Sequence, residues 1–202
     1  MPSRLPLAAV ALLVAACGDN LHDPADAAPG EADAPPPTDG QSATCQATIR
    51  EVPLQPGTHF PPGKHLEWTS NPPATGPHYS VWAKWSRSYA EAIPRGYWVH
   101  NLEHGGVLLL HHCPGGCADD VAALEALAAS LDADPKCTAP RRTRTIITPD
   151  PELPADVRIA AAAWGWTYTA PCLDVASLRA FVAAHYAHAP EDTCAEGGFP
   201  LE

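Results

Sequence analysis

Positive charge is scarce in this chain of 202 residues, where 12 lysines and arginines face 23 acidic residues and the formal net charge is −11. No basic stripe runs through the sequence. The single cationic cluster, Arg141, Arg142 and Arg144, is typical of a solvated strand edge. Because a nucleic-acid-binding protein needs clustered basic residues, we predict no nucleic-acid partner.

Several catalytic signatures are also missing. The sequence has no nucleophile elbow, no phosphate-binding loop and no dinucleotide fingerprint. Met1 is the only methionine, which excludes a copper(I) site built from thioethers. Three residues separate Cys113 from Cys117, so this pair does not form a CxxC redox motif. We interpret it as a structural bridge rather than a redox or soft-metal site.

The N-terminus is typical of an exported protein. Arg4 precedes the apolar stretch Leu5 to Val14, which is too short for an ordinary membrane-spanning helix, and residues 1–16 are predicted to be a signal peptide. Val14-Ala-Ala-Cys17 resembles a bacterial lipobox, which implies cleavage before Cys17 and its lipidation; the alternative is a plain signal peptide. The residue after the cysteine is Gly18 rather than Asp, which resembles a sorting signal for the outer membrane rather than the inner membrane. The predicted location is the cell envelope, lipid-anchored to the membrane and facing the periplasm or the exterior.

Residues 17–44 are predicted to be the acylated cysteine followed by a disordered linker. From residue 18 onward this segment is rich in Ala, Pro, Asp and Gly and contains six acidic residues but no Lys or Arg. Such a composition buries too little apolar surface to offset the entropy of ordering. Residues 45–202 are long enough for one domain with its own core.

Six cysteines remain after Cys17, an even number that favours three disulfides in an exported chain. We expect two of these cysteines to bracket the last helix and three others to bracket the helix before it. The first cysteine in the chain is expected to pair with whichever of those three is left over. The last-helix pair is Cys172 and Cys194; the others are Cys113, Cys117 and Cys137, with Cys45 first.

Hydrophobic periodicity predicts an α+β domain with a largely antiparallel sheet and helices on one face. Apolar stripes predict helices over residues 81–92, from a cap at Asp119 or Asp120 to Leu131, and after a cap at Asp174. Strands are predicted over residues 48–54, from 97 to 100, and over 107–112, 143–148 and 162–169.

Histidines next to glycines and prolines are the most informative local feature. His100-Asn-Leu-Glu103-His104 matches the H-x-x-E-H motif of zinc peptidases, which requires a helix. Gly105-Gly106 follow and β-prone residues precede, so we interpret the motif as a loop between strands, which disfavours the peptidase. Upstream, a stiff Pro/Gly loop presents His78, and His59 lies between Gly57 and Pro61.

These histidines predict a metal site. His78, His100 and His104, with His59 as a fourth ligand, suit a transition metal, with copper(II) or zinc favoured. Glu103 is the candidate catalytic residue, but it can also act as a ligand or orient a histidine. Three functions stay open: metal handling or redox chemistry, a metal-dependent hydrolase of envelope material with Glu103 as base, and a structural or interaction module with a histidine hydrogen-bond network. The sequence does not identify a protein partner.

These motifs resemble those of a bacterial and fungal family called domain of unknown function 3105. The likeness covers nearly all of residues 50 to 192. It rests on His59, the segments 72–78 and 100–105, Ala163-Trp164-Gly165 and Pro190-Glu191. Ala74-Thr75 differ mildly from the family pattern. The resemblance implies that His78, His100 and His104 act together, and that Pro190-Glu191 lies near the site or locks the C-terminal helix. It implies no particular activity.

Overall fold

The structure, a computed structural model, describes residues 45–200. The predicted signal peptide, Cys17 and the predicted linker lie outside this range. No helix among the described residues has the length and apolar character needed to cross a membrane. Residues 45–200 contain the strands β1 (Thr48–Glu51), β2 (His59–Phe60), β3 (His78–Tyr79), β4 (Arg87–Ser88), β5 (Val107–His111), β6 (Thr145–Pro149), β7 (Ile159–Ala163) and β8 (Trp166–Ala170), and the helices α1 (Arg95–Glu103), α2 (Ala118–Ser130) and α3 (Val175–His185).

Six of these strands form one sheet in the order β1-β8-β7-β5-β6-β4. The pairs β1/β8, β8/β7 and β7/β5 are antiparallel, whereas β5/β6 and β6/β4 are parallel. The predicted α+β fold with a largely antiparallel sheet is therefore confirmed. The strand predicted from Ala162 onward is the end of β7 and all of β8, joined by a turn at Gly165, whose φ of +78° favours glycine.

The core lies on both faces of this sheet, because successive side chains of β5 point in opposite directions. Leu108 and Leu110 pack with residues of α1, while Val107 and Leu109 pack with residues of α2 and α3. Helices were expected on one face only; α2 and α3 share a face, but α1 covers the other. Each fully buried leucine contributes roughly 2 kcal/mol through burial of apolar surface.

The strand predicted to begin at Tyr97 is wrong, since these residues lie in α1. Pro94 immediately precedes the helix, where its fixed φ suits a helix start. Trp98 and Val99 are fully buried in the core. Tertiary burial therefore overrides the local β preference of the aromatic and branched residues.

The helix predicted over residues 81–92 is also wrong: this segment is irregular apart from an isolated bridge at Ala83 and the short edge strand β4. Its tryptophans do not form the predicted helical stripe. Trp82 and Trp85 instead donate their ring N–H groups to the Ala195 carbonyl oxygen, at 3.2 and 2.8 Å. These hydrogen bonds tie the segment to the C-terminal residues.

Of the two predicted helix N-caps, only one is present in the structure. The Asp174 side chain accepts hydrogen bonds from the backbone N–H groups of Ala176 and Ser177, which confirms it as the N-cap of α3. The N-cap of α2 is Cys117, so the predicted Asp caps are wrong. Asp119 and Asp120 lie in the first turn, where negative charge favours the helix dipole.

The six cysteines form three disulfides, Cys45–Cys172, Cys113–Cys117 and Cys137–Cys194. The number of bridges agrees with the prediction, but the expected bracketing of α3 by Cys172 and Cys194 is wrong. The expectation that Cys45 pairs with one of Cys113, Cys117 and Cys137 is also wrong. Instead, Cys172 joins the start of α3 to the residues before β1, across a sequence separation of 127. Cys194 ties the C-terminal segment to the loop after α2.

Candidate metal centre

Three separate segments bring the site together. In the two-stranded parallel sheet of β2 and β3, His59 pairs directly with His78. The backbone N–H of His78 donates to the Thr58 carbonyl oxygen at 3.0 Å, which fixes this register. His100 and Glu103 are three residues apart on α1, so they lie on one helical face. The Pro/Gly-rich loop, through β2 and β3, thus directs His59 and His78 toward the point at which α1 directs His100 and Glu103.

The ligand atoms of His59, His78, His100 and Glu103 all lie within 4.8 Å of one another. Nε2 of His59 is 3.4 Å from Nε2 of His100 and 3.7 Å from Oε2 of Glu103. Nε2 of His78 is 3.0 Å from the same Oε2 atom. Tetrahedral zinc with bonds of about 2.0–2.2 Å places its ligand atoms ~3.3 Å apart. The three separations of 3.0, 3.4 and 3.7 Å lie around this value.

The protein fixes the tautomers of two imidazoles. Nδ1 of His78 donates to the Gly76 carbonyl oxygen at 2.8 Å, and Nδ1 of His100 donates to the Tyr79 carbonyl oxygen at 2.6 Å. A carbonyl oxygen can only accept a hydrogen bond, so Nδ1 must carry the proton. In each neutral ring, Nε2 therefore carries the lone pair. Both lone pairs lie in the cluster, as in metal sites where a backbone carbonyl orients the ligating histidine.

Burial keeps these rings neutral. Desolvation lowers the pKa of His78 to about 4, with smaller effects from the neighbouring His59 and His104. The pKa of His100 falls to about 3, again mainly through burial and secondarily through His78. At neutral pH, both residues therefore present unprotonated nitrogen atoms, the form that binds metals.

Glu103 is the buried carboxylate of the cluster. Desolvation and the nearby charge of Glu191 raise its pKa to about 7. Although His78 Nε2 and Glu103 Oε2 are 3.0 Å apart, both atoms are buried and neither has a hydrogen bond of proper geometry to a described residue. A Cβ atom added at Gly57 would lie 2.2 Å from Glu103 Oε1, so a larger residue there would force this carboxylate to move.

His104, a predicted ligand, lies beside this group rather than in it. It follows the last residue of α1, and its Nε2 is 3.0 Å from Oε2 of Glu191. Burial lowers its pKa. The H-x-x-E-H segment is helical up to Glu103, so the loop interpretation of this motif was wrong. Of the four predicted ligands, the structure brings together His59, His78 and His100, and it adds Glu103.

The sequence did not predict that one aromatic residue, Trp82, contacts the histidines of the site. The ring centroid of Trp82 is 4.8 Å from that of His100 and 4.7 Å from that of His104. The sequence suggested only a core residue on a helical face. No local pattern predicts this contact, because it depends on the irregular path of the segment before α1.

A separate histidine lies beside a disulfide at the other end of β5. Nδ1 of His111 is 3.2 Å from Sγ of Cys117. Since Cys117 is bonded to Cys113, neither sulfur is a thiolate, the form of cysteine that ligates metals. This agrees with the interpretation of the pair as a bridge.

The fold and the site together describe an α+β domain in which three imidazoles and one carboxylate converge between a Pro/Gly-rich loop and a helix. The chain belongs to the family described as protein of unknown function (DUF3105), which matches residues 59–198, about two thirds of its length. All four residues of the cluster, together with His104 and Glu191, lie in the matched range. Comparison with curated proteins and with solved structures gives no match.

Proposed function

We propose that this domain binds a transition metal ion, zinc or copper(II), through His59, His78, His100 and Glu103. The observation that carries the proposal is the convergence of their ligand atoms, among which buried His78 Nε2 and Glu103 Oε2 lack hydrogen-bond partners among the described residues. Buried polar atoms are nearly always partnered, and leaving one unpaired costs about 1–3 kcal/mol. A bound cation would partner both atoms at once.

The ligand set favours these two metals. Imidazole nitrogens with one carboxylate suit zinc or copper(II), and neither thiolate nor thioether is present in the cluster. His59 is the accessible ligand, with 46% of its side chain exposed, whereas His78 is fully buried. An ion would therefore enter from the His59 side. We propose a role in metal handling or redox chemistry at the cell envelope, where the lipid on Cys17 would anchor the domain.

The proposal predicts that the purified full chain, with its disulfides intact, retains at least one zinc or copper ion after dialysis. Elemental analysis of protein loaded with each metal measures this, and the preferred element separates hydrolytic from redox chemistry. A folded protein that takes up neither metal would contradict the proposal. It would instead favour a structural module in which the histidines and Glu103 form a hydrogen-bond network.

Metal binding is expected to release protons from Glu103, because its pKa of about 7 means that the free carboxyl is partly protonated. Glu103 should contribute about half a proton per ion at pH 7 and about a tenth at pH 8, so affinity rises with pH through this range. His78 and His100 are already neutral and contribute none. Calorimetry in buffers of different ionisation enthalpy measures the number. Release of two or more protons at pH 7 would show that the histidines are charged in the free protein.

A metal-dependent hydrolase is the second candidate function, with Glu103 as general base. Two observations favour it: the H-x-x-E segment is helical, and a carboxyl pKa of about 7 suits proton transfer at neutral pH. Glu103→Gln separates the two roles of this residue. Loss of the ion would identify a ligand, whereas retention of the ion with loss of turnover on ester or peptide substrates would identify a base.

A further inference from the structure

A second set of ligand atoms adjoins the first. Atoms of Glu103, His104 and Glu191 also lie within 4.8 Å of one another. Glu103 belongs to both sets. The rings of His100 and His104 have centroids 4.6 Å apart, so the two sets are immediate neighbours at the end of α1.

The backbone holds this second set in place. The N–H of Glu191 donates to the Glu103 carbonyl oxygen at 3.0 Å, and the N–H of Ala187 donates to the Gly105 carbonyl oxygen at 2.9 Å. Arg144 Nη1 donates to the His104 carbonyl oxygen at 2.9 Å. The C-terminal segment is thus fixed against the end of α1, which sets Glu191 opposite His104.

Charge and burial both favour a cation here. His104 is 4% exposed, and its Nε2 lies 3.0 Å from Oε2 of Glu191. The ligand oxygens of the Glu103 and Glu191 carboxylates lie within 4.8 Å of each other, so their negative charges repel. A divalent ion bound by both carboxylates would remove this repulsion. In two-metal sites the two ions lie about 3.5–4 Å apart, so a carboxylate shared between the two sets could contact both ions.

We infer that the site is binuclear, with a second divalent cation bound by Glu103, His104 and Glu191 and with Glu103 shared between the two ions. The inference rests on the proposed function, since it needs the first ion at the histidine cluster. The two positions differ in character. The first has four protein ligands, a closed set for zinc, whereas the second has three and a side chain, Glu191, that is 54% exposed. Water or an oxyanion of a substrate would complete the second position.

The test is the zinc stoichiometry of the full chain and of Glu191→Gln, measured by elemental analysis after equilibrium dialysis against zinc. We expect about two ions in the wild-type chain and about one in the variant, because a three-ligand position loses an anionic ligand. Glu196→Gln is the matched control on the same segment, since its carboxylate is 74% exposed and pairs with Arg141 instead. The control should keep about two ions.

Three results would overturn the inference. One ion in both the wild-type chain and Glu191→Gln would leave the His104–Glu191 contact as a hydrogen bond that ties down the C-terminal segment. Two ions in both would place the second ion elsewhere. No ion in the wild-type chain would instead remove the proposed function itself, so the two failures are distinguishable. Circular dichroism and thermal unfolding of the metal-free proteins confirm that both variants fold.

Discussion

Replacing His59 with alanine is expected to weaken zinc binding by at least about 100-fold, because removing even an outer-shell partner of a metal ligand costs about 10–100-fold in affinity. His59 is the best ligand to test, since 46% of its side chain is exposed. Its removal opens no large cavity, and surface substitutions of this kind change stability by only about 0.5 kcal/mol. His100 is 3% exposed, so the same change there would combine ligand loss with damage to the fold.

Competition with a chromophoric zinc chelator measures the affinity, and thermal unfolding gives a second readout. At a free zinc concentration of 100 times Kd, binding stabilises the wild-type fold by about 2.7 kcal/mol. This corresponds to a rise in Tm of about 5–10 °C for a domain of this size. His65→Ala is the matched control, because His65 lies in the same loop with 86% of its side chain exposed. Equal zinc affinity in the two variants would show that His59 is not a ligand.

The Arg144→Ala variant is expected to lose about 3–5 kcal/mol of unfolding free energy, since it removes one partner of a buried ion pair. Arg144 Nε is 2.7 Å from Asp134 Oδ2, and the two side chains are only 3% and 2% exposed. Tyr186 donates its hydroxyl to the same Asp134 oxygen at 2.8 Å. Without the guanidinium, a buried carboxylate would remain with no cation to balance it.

Urea unfolding of the metal-free protein measures this loss as a shift in midpoint at constant slope. Arg158→Ala is the control: Arg158 pairs with Asp120 at 2.6 Å, but its side chain is 43% exposed. Exposed pairs contribute about 0–1 kcal/mol, so this variant should unfold close to the wild-type midpoint. Similar losses in the two variants would mean that solvent reaches the Arg144–Asp134 pair.

The regular parts of the fold were predictable because their signals are local. The continuous apolar run of β5 and the capped stripe of α3 both occur as predicted. The helix α1 was not predictable in this way: its residues favour strand, and its helical state depends on burial against the sheet. The disulfide pairing depends likewise on distances across the fold, which cysteine spacing does not encode.

For the candidate site, residue chemistry identified the members but not their grouping. The Gly- and Pro-rich motifs singled out His59, His78, His100 and His104, of which the first three converge. Their convergence depends on the parallel pairing of β2 with β3, which are two residues long and leave no periodic signal. His104 instead contacts Glu191, which lies far along the chain. The family resemblance implied that Pro190-Glu191 lies near the site or locks the C-terminal helix. In the structure, Glu191 Oε2 lies 3.0 Å from His104 Nε2, and the backbone N–H of Glu191 donates to the Glu103 carbonyl oxygen.

The pairing of β2 with β3 also bears on when the proposed ion would be acquired. The three histidines of the cluster come from segments that meet only through tertiary contacts, so an unfolded chain offers scattered imidazoles rather than a prearranged chelate. Structural zinc motifs with closely spaced ligands can capture their ion while they fold. Here the loop carrying His59 and His78 must first dock on α1. The ion would therefore be loaded after folding, from the metal supply of whichever compartment the chain folds in.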